Sequence, residues 1–128
     1  MKYKFHVLQN FSKEAKPLLK KYKSLKKDLI KLKEEIEANP LLGTSLGGGF
    51  KKIRLNITTK SKGKSGGARV ITHEVVFNID TDDETKSVIF VSIYDKSEIE
   101  SKKTSDFKEI VEEFRNMEEQ QSKEKTKK

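Results

Sequence analysis

The 128-residue sequence contains no cysteine. Disulfide bridges, thiolate zinc sites and cysteine nucleophiles are therefore excluded, and the composition fits a reducing compartment. No apolar run approaches the length of a membrane span. The first residues, MKYKFHVL, are too short and too interrupted for a secretory hydrophobic region. We therefore expect a soluble cytoplasmic protein.

Apolar residues are also scarce, at 33% of the chain, whereas charged residues make up 38%. The length fits one domain, and several runs rich in aliphatic residues argue against global disorder. The formal net charge is +8. This balance favours a polyanionic partner, which is a nucleic acid, an acidic protein or an anionic membrane surface.

The first third of the chain predicts one strand followed by two helices. Apolar residues alternate over residues 3–7 and recur at helical spacing over residues 11–22. Pro17 falls inside that second pattern, so the helix either begins at Pro17 or is kinked there. We expect Ser24 to cap a second amphipathic helix that ends at Asn39, before a proline. Together the two helices predict an α-hairpin.

The middle of the chain predicts three strands separated by polar loops. Residues 43–49, GTSLGGG, predict a flexible loop. Residues 50–57 then alternate with a clean period of two. Residues 68–79 are longer and mostly apolar, which indicates a central strand with both faces partly covered. A further strand is predicted over residues 87–96, after an acidic turn.

Residues 107–117 predict a final amphipathic helix. Residues 118–128 have no apolar residue and predict a flexible charged tail, either frayed helix or disorder. We expect one domain over residues 1–117 with the element order β-α-α-β-β-β-α. The fold class is α+β: a small antiparallel sheet with the α-hairpin on one face, a C-terminal helix, and an open opposite face.

That opposite face is predicted to carry cations. If Ile53 and Leu55 point toward the helices, Lys52 and Arg54 point away from them, about 7 Å apart along the strand. Arg69 opens the next strand, but alternation does not assign it to a face because that strand is apolar on both sides. His73 lies roughly 13 Å further along, and we expect it to be structural. The remaining candidates are Lys51, Lys60, Lys62 and Lys64 beside the loops, and Tyr94 and Lys96 at the last strand's end.

These residue types suit the cleavage of RNA. The substrate carries its own nucleophile, the 2′-hydroxyl. The protein must then supply alignment, a proton acceptor, charge stabilisation at phosphorus and a proton donor for the leaving oxygen. Arginine presents planar paired donors to phosphate oxygens, and a lysine among other cations loses its proton more readily. Lysine, arginine and tyrosine therefore suffice without a metal or another cofactor.

Four segments are similar to one known family: KKYKSLKKDL, NPLLGTSLGGGFKKIRL, KGKSGGARVI and SIYDKSE, the last followed by the final helix. From about Phe11 to Phe114 the chain resembles the RelE/ParE superfamily of toxins from bacterial type II toxin–antitoxin systems. The resemblance is nearest to the RelE- and HigB-like mRNA interferases. It implies a RelE-like fold and a metal-independent endoribonuclease that cleaves mRNA in the ribosomal A site and arrests growth.

The resemblance also implies roles for the candidate residues. Lys52 and Arg54 take the first basic pair, and Arg69 takes the arginine that holds the scissile phosphate. Tyr94 and Lys96 stand where relatives place another cation or an aromatic residue, so either one positions the mRNA or protonates the leaving oxygen. Lys51, Lys60, Lys62 and Lys64 are expected to contact RNA. The implied partners are a cognate antitoxin, mRNA and the ribosome, including its 16S rRNA.

Two other functions remain open at this point. Some branches of the superfamily inhibit DNA gyrase by binding it as a protein, and a fold alone does not separate that activity from RNA cleavage. The third alternative is an inactive relative that binds RNA or ribosomes without cutting.

Overall fold

The computed structural model describes residues 2–58, 67–95, 107–109, 111–112 and 116. Within them the helices and strands follow one another along the chain as β1 (Lys2–Val7), α1 (Gln9–Lys21), α2 (Leu25–Ala38), β2 (Thr44–Gly47), β3 (Phe50–Leu55), β4 (Ala68–Phe77) and β5 (Thr85–Asp95). The predicted α+β class is confirmed. The predicted C-terminal helix is described only at scattered positions, where residues 108, 109, 111, 112 and 116 are helical.

The described strands form one sheet in the order β1-β5-β4-β3-β2. The three pairs from β5 to β2 are antiparallel, whereas β1 pairs with β5 in parallel. The sheet is therefore mixed, and the prediction of a purely antiparallel sheet was wrong. The parallel pair arises because the α-hairpin follows β1 and the chain returns to the sheet at its far edge.

The glycine-rich segment is a hairpin rather than the predicted loop. Residues Thr44–Gly47 form the edge strand β2, which pairs with the start of β3. Gly48 and Gly49 form the connection, with φ angles of 60° and 85°. Two consecutive residues with positive φ are what a tight two-residue hairpin requires, and glycine adopts that conformation without steric cost.

The α-hairpin forms as predicted, with one difference in detail. Of the two starts that were open for the first helix, the structure has the earlier one, so Pro17 lies inside α1. Ser24 occupies the N-cap position of α2, but its hydroxyl makes no capping bond and instead donates to Asp28 Oδ2 at 2.8 Å. Neither helix in the described part of the chain is long and apolar enough to cross a membrane.

The sheet is covered on both faces. On one face, α1 and α2 pack against a core of aliphatic and aromatic side chains that includes Ile53, Val70 and Phe90. The other face carries a second apolar cluster, in which Phe107 and Val111 pack near the sheet. The expectation of an open second face was therefore wrong. The apolar residues of the last helix need a surface to bury against, and this face supplies it.

Strand β5 contains one irregularity. Ile71 pairs with Ser92 and Thr72 pairs with Phe90, so Val91 has no partner in β4. Such a bulge adds one residue to a strand and reverses the alternation of side chains beyond it. As a result, Val91 and Tyr94 belong to the same apolar cluster although they are three residues apart.

Candidate functional site

Three candidate side chains form a row across three strands. Arg54 in β3 pairs with Arg69 in β4, and Arg69 pairs with Tyr94 in β5. Directly opposed residues in an antiparallel pair share a face, with Cβ atoms about 4.5–5.5 Å apart. We call Arg54, Arg69 and Tyr94 the arginine row. It lies one residue pair in from the sheet end at which β3 ends, β4 begins and β5 ends.

Lys52 belongs to the same face. It lies two residues before Arg54 in β3 and pairs with Ile71, a member of the second apolar cluster. The spacing along a strand places it roughly 7 Å from Arg54. The backbone register therefore gathers three cations, Lys52, Arg54 and Arg69, on one face near one end of the sheet.

Arg69 is the most enclosed of these cations. Its residue is only 6% exposed, and its Nη1 donates to the carbonyl oxygen of Ala68 at 3.2 Å. Among the described residues, no carboxylate lies within ion-pair distance of this guanidinium. Its cross-strand neighbour Arg54 is a second cation, and is exposed. A buried charge without a counterion is costly, so this position favours the binding of an anion.

Tyr94 is buried rather than at an accessible edge. It is 2% exposed and packs in the second apolar cluster with Phe107 and Val111. Tyr94 is therefore buried next to Arg69, in the same apolar cluster as the described C-terminal residues. The row has an exposed end at Arg54 and an enclosed end at Tyr94.

Lys51 does not join the row. It has the parity of Ile53, so it lies on the face covered by the helices. Its Nζ donates to the carbonyl oxygen of Pro40 at 2.7 Å and lies 3.2 Å from Glu74 Oε1. Glu74 also lies 3.0 Å from Lys86. Lys51 thus connects β3 to Pro40, just after α2, and to Glu74 in β4, away from the arginine row.

Four candidate lysines lie outside the described residues. These are Lys60, Lys62 and Lys64, which follow β3, and Lys96, which follows β5. Their predicted roles therefore remain predictions. The described residues on either side of the first three, Thr58 and Gly67, are near the same sheet end as the arginine row.

Contacts that the sequence did not predict fasten the α-hairpin to this sheet end. The Tyr22 hydroxyl donates to Asp95 Oδ2 at 2.7 Å, in a buried contact. The carboxylate of Asp28 accepts from the Thr58 amide at 3.0 Å and from the Thr58 hydroxyl at 2.7 Å. Tyrosine and aspartate are common in and beside amphipathic helices, so their positions in the sequence did not predict the contacts with Asp95 and Thr58.

A cleft of about 230 Å³ lies between α1 and the end of β5, and its lining includes Leu18, Lys21, Tyr94 and Asp95. It adjoins the enclosed end of the arginine row from the hairpin side. On the other side of the row, the backbones of Gly67 and Leu55 approach each other closely. A Cβ built on Gly67 would lie 2.3 Å from the carbonyl oxygen of Leu55. Only glycine therefore fits two residues before Arg69.

His73 is buried, which fits the structural role expected for it. It is 3% exposed, shares the face of Arg69, and packs against Phe50 with ring centroids 4.6 Å apart. Within the part of the chain that the structure describes, no group of three or more histidine, cysteine, aspartate or glutamate residues is arranged to hold a metal ion.

Comparison with known proteins adds no family assignment. No protein-family model matches the chain, and a search of curated proteins also finds no match.

Proposed function

We propose that this protein is a RelE-like toxin of a type II toxin–antitoxin system and that it cleaves mRNA on the ribosome. One observation carries the proposal: the guanidinium of Arg69 is buried beside Arg54, with no carboxylate in ion-pair range among the described residues. A phosphodiester supplies a negative charge at this position and matches the paired donors of two arginines.

The proposed reaction needs no group beyond the protein and the RNA. The 2′-oxygen attacks the adjacent phosphorus and forms a new P–O bond, while the bond from phosphorus to the 5′-oxygen of the next nucleotide breaks. The products are a 2′,3′-cyclic phosphate and a 5′-hydroxyl. One proton leaves the 2′-hydroxyl and one reaches the 5′-oxygen, so general acid and base catalysis apply at two separate atoms.

The positions of the cations favour a division of roles. Arg69 and Arg54 lie side by side across two strands, so both can donate to the non-bridging oxygens as charge develops on them. Lys52 lies one step along the same face and takes the proton of the 2′-hydroxyl. This arrangement uses fixed donors that are already in place before the substrate arrives.

The proton for the leaving oxygen comes from Tyr94 or Lys96. Tyr94 is adjacent to Arg69 in the row, but it is buried with Phe107 and Val111. If Tyr94 is the donor, these C-terminal residues have to move from the sheet before the leaving oxygen reaches it. The cognate antitoxin is proposed to act on this surface, either by covering the cations or by displacing the last helix.

The burial of Arg69 and Tyr94 also favours a second candidate. A toxin that binds DNA gyrase as a protein requires no accessible phosphate site, and the enclosed state of Arg69 and Tyr94 is compatible with a purely structural row. An RNA-binding relative without activity is the third possibility. These alternatives differ from the first in the fate of mRNA.

The test is cleavage of mRNA on programmed ribosomes, with mapping of the new ends. We expect wild-type protein to leave cyclic phosphate and 5′-hydroxyl ends, and Arg69→Ala to lose cleavage. Lys4→Ala is the matched control, because Lys4 is an exposed cation far from the row. Cleavage by Arg69→Ala at the wild-type rate contradicts the assignment. Intact mRNA together with supercoiling defects on expression instead supports the gyrase inhibitor.

A further inference from the structure

The outer side of the α-hairpin is a second cationic surface. Residues 15–33 contain eight lysines and a single acidic residue, Asp28. Four of the lysines lie around the connection between the helices and are exposed: Lys20, Lys23, Lys26 and Lys27. We call these four the hairpin lysines.

Nothing in the described part of the chain neutralises the hairpin lysines. Asp28 is 7% exposed, and its carboxylate is turned inward to the amide and hydroxyl of Thr58 and the hydroxyl of Ser24. No ion pair joins Lys20, Lys23, Lys26 or Lys27 to a described carboxylate. Helices usually gain from alternating opposite charges at these spacings, so a uniform sign is a cost to the hairpin.

This surface is fixed beside the arginine row. The Tyr22 hydroxyl reaches Asp95, the residue that follows Tyr94, and Asp28 holds Thr58 just beyond β3. Both contacts attach the turn of the hairpin to the sheet end where the row lies. Cations therefore line this sheet end on two sides, with Arg54 and Arg69 on one side and the hairpin lysines on the other.

We propose that the hairpin lysines bind the sugar–phosphate backbone of RNA that extends past the arginine row. This inference rests on the proposed function, because it assumes that the polyanion is RNA. Point-like, mobile ammonium groups on an exposed helix suit backbone phosphates, whereas the enclosed arginines suit one fixed phosphate. The surface contributes affinity and orientation, and the row contributes chemistry.

Salt dependence of binding tests this division. The full-length protein is titrated at several salt concentrations against a labelled 2′-O-methyl RNA strand, which has no free 2′-hydroxyl and is not cleaved. The same strand annealed to its complement is the second probe. Each phosphate contact contributes about 0.7 to 0.9 to the slope of log affinity against log salt concentration.

The test variant is Lys23→Gln with Lys27→Gln, and the matched control is Lys2→Gln with Lys4→Gln at the opposite sheet end. Both remove two exposed cations. We expect the test variant to reduce the slope by about 1.4 to 1.8 on at least one probe, and the control to leave it unchanged. A reduction on the single strand assigns the surface to the substrate's flanks, and a reduction on the duplex assigns it to folded RNA.

Equal slopes for the test variant, the control and the wild type on both probes overturn the inference. If the slopes on RNA are equal but the test variant loses binding to polyglutamate, the surface binds an acidic protein instead. The readout is independent of cleavage. If the wild-type protein leaves mRNA intact on ribosomes while the test variant still loses slope, the nuclease assignment fails and the hairpin surface stands.

Discussion

Replacing Arg69 by methionine is expected to stabilise the fold while it removes function. Arg69 is 6% exposed, and its one described hydrogen bond goes to the Ala68 carbonyl oxygen. Loss of that bond costs about 1 kcal/mol. Methionine keeps an unbranched apolar stem of similar length, so the packing around Tyr94 is retained.

The gain comes from removing a charge. Two guanidinium groups repel by about 0.7 kcal/mol with the dielectric constant of water and by about 3 kcal/mol at an effective value of about 20, if a separation of about 6 Å is taken from the cross-strand pairing of Arg54 and Arg69. Arg54 is exposed, so the lower part of that range applies. Relief from burying a cation adds to it, and replacements of buried ion pairs by apolar residues have stabilised proteins by about 1–4 kcal/mol. The net expectation is a gain of about 1–2 kcal/mol.

Urea unfolding followed by circular dichroism measures this difference, with Arg54→Met as the control. Because Arg54 is exposed, its replacement should change the free energy of unfolding by less than about 0.5 kcal/mol beyond the relieved repulsion. Added inorganic phosphate should raise the melting temperature of the wild type but not that of Arg69→Met, since only a folded site that binds the anion is stabilised by it. A loss of more than about 1 kcal/mol in Arg69→Met would refute the reasoning, because the guanidinium would then have compensating partners.

Three further substitutions test the surroundings of the row. Gly67→Ala places a Cβ 2.3 Å from the Leu55 carbonyl oxygen, so we expect a loss of about 1–3 kcal/mol in urea unfolding and reduced cleavage; unchanged values contradict the close approach. Tyr94→Phe keeps the buried ring, and if Tyr94 donates the proton, single-turnover cleavage falls about 10²- to 10⁴-fold, whereas an unchanged rate assigns that role elsewhere. Asp28→Ala removes the acceptor of the Thr58 amide and hydroxyl and should cost about 2–3 kcal/mol, measured by the same unfolding assay against Glu34→Ala, an exposed acid in the same helix.

The element types followed from the sequence because each depends on local periodicity. Alternation in β3 correctly separated Ile53 from Lys52 and Arg54. The same rule left Arg69 unassigned, because Val70 and Ile71 are both buried in different clusters. Only the pairing register, a property of two strands together, shows that Arg69 shares a face with Arg54.

Three features lay beyond local patterns. Gly48 and Gly49 belong to a run of three glycines, and the short strand before the turn has only one partly buried apolar residue, Leu46, so the segment resembles a loop. The parallel pairing of β1 with β5 depends on where the chain enters the sheet again after the α-hairpin. The apolar stripe that includes Phe107 and Val111 predicted a helix without specifying what it covers.

The contacts of the candidate residues also depend on more than the local sequence. Lys51 and Lys52 are neighbours in sequence, yet one anchors Glu74 and the other joins the cations of the row. Lysine side chains are long, and composition alone does not distinguish an internal ion pair from a surface charge. The residues that fasten the hairpin, Tyr22 and Asp28, depend on contacts made over 73 and 30 residues of sequence.

The unpaired Val91 determines what the end of β5 presents to each side. In an uninterrupted ladder, Ile93 would pair with Arg69, Tyr94 would take the place of Asp95 opposite Ala68, and Asp95 would lie one position further, on the face of Arg69. The carboxylate would then lie diagonally across from the guanidinium, and the α-hairpin would lose the acceptor of Tyr22. One additional residue in β5 thus keeps the carboxylate of Asp95 on the helix-covered face of the sheet, opposite to the face that carries Arg69.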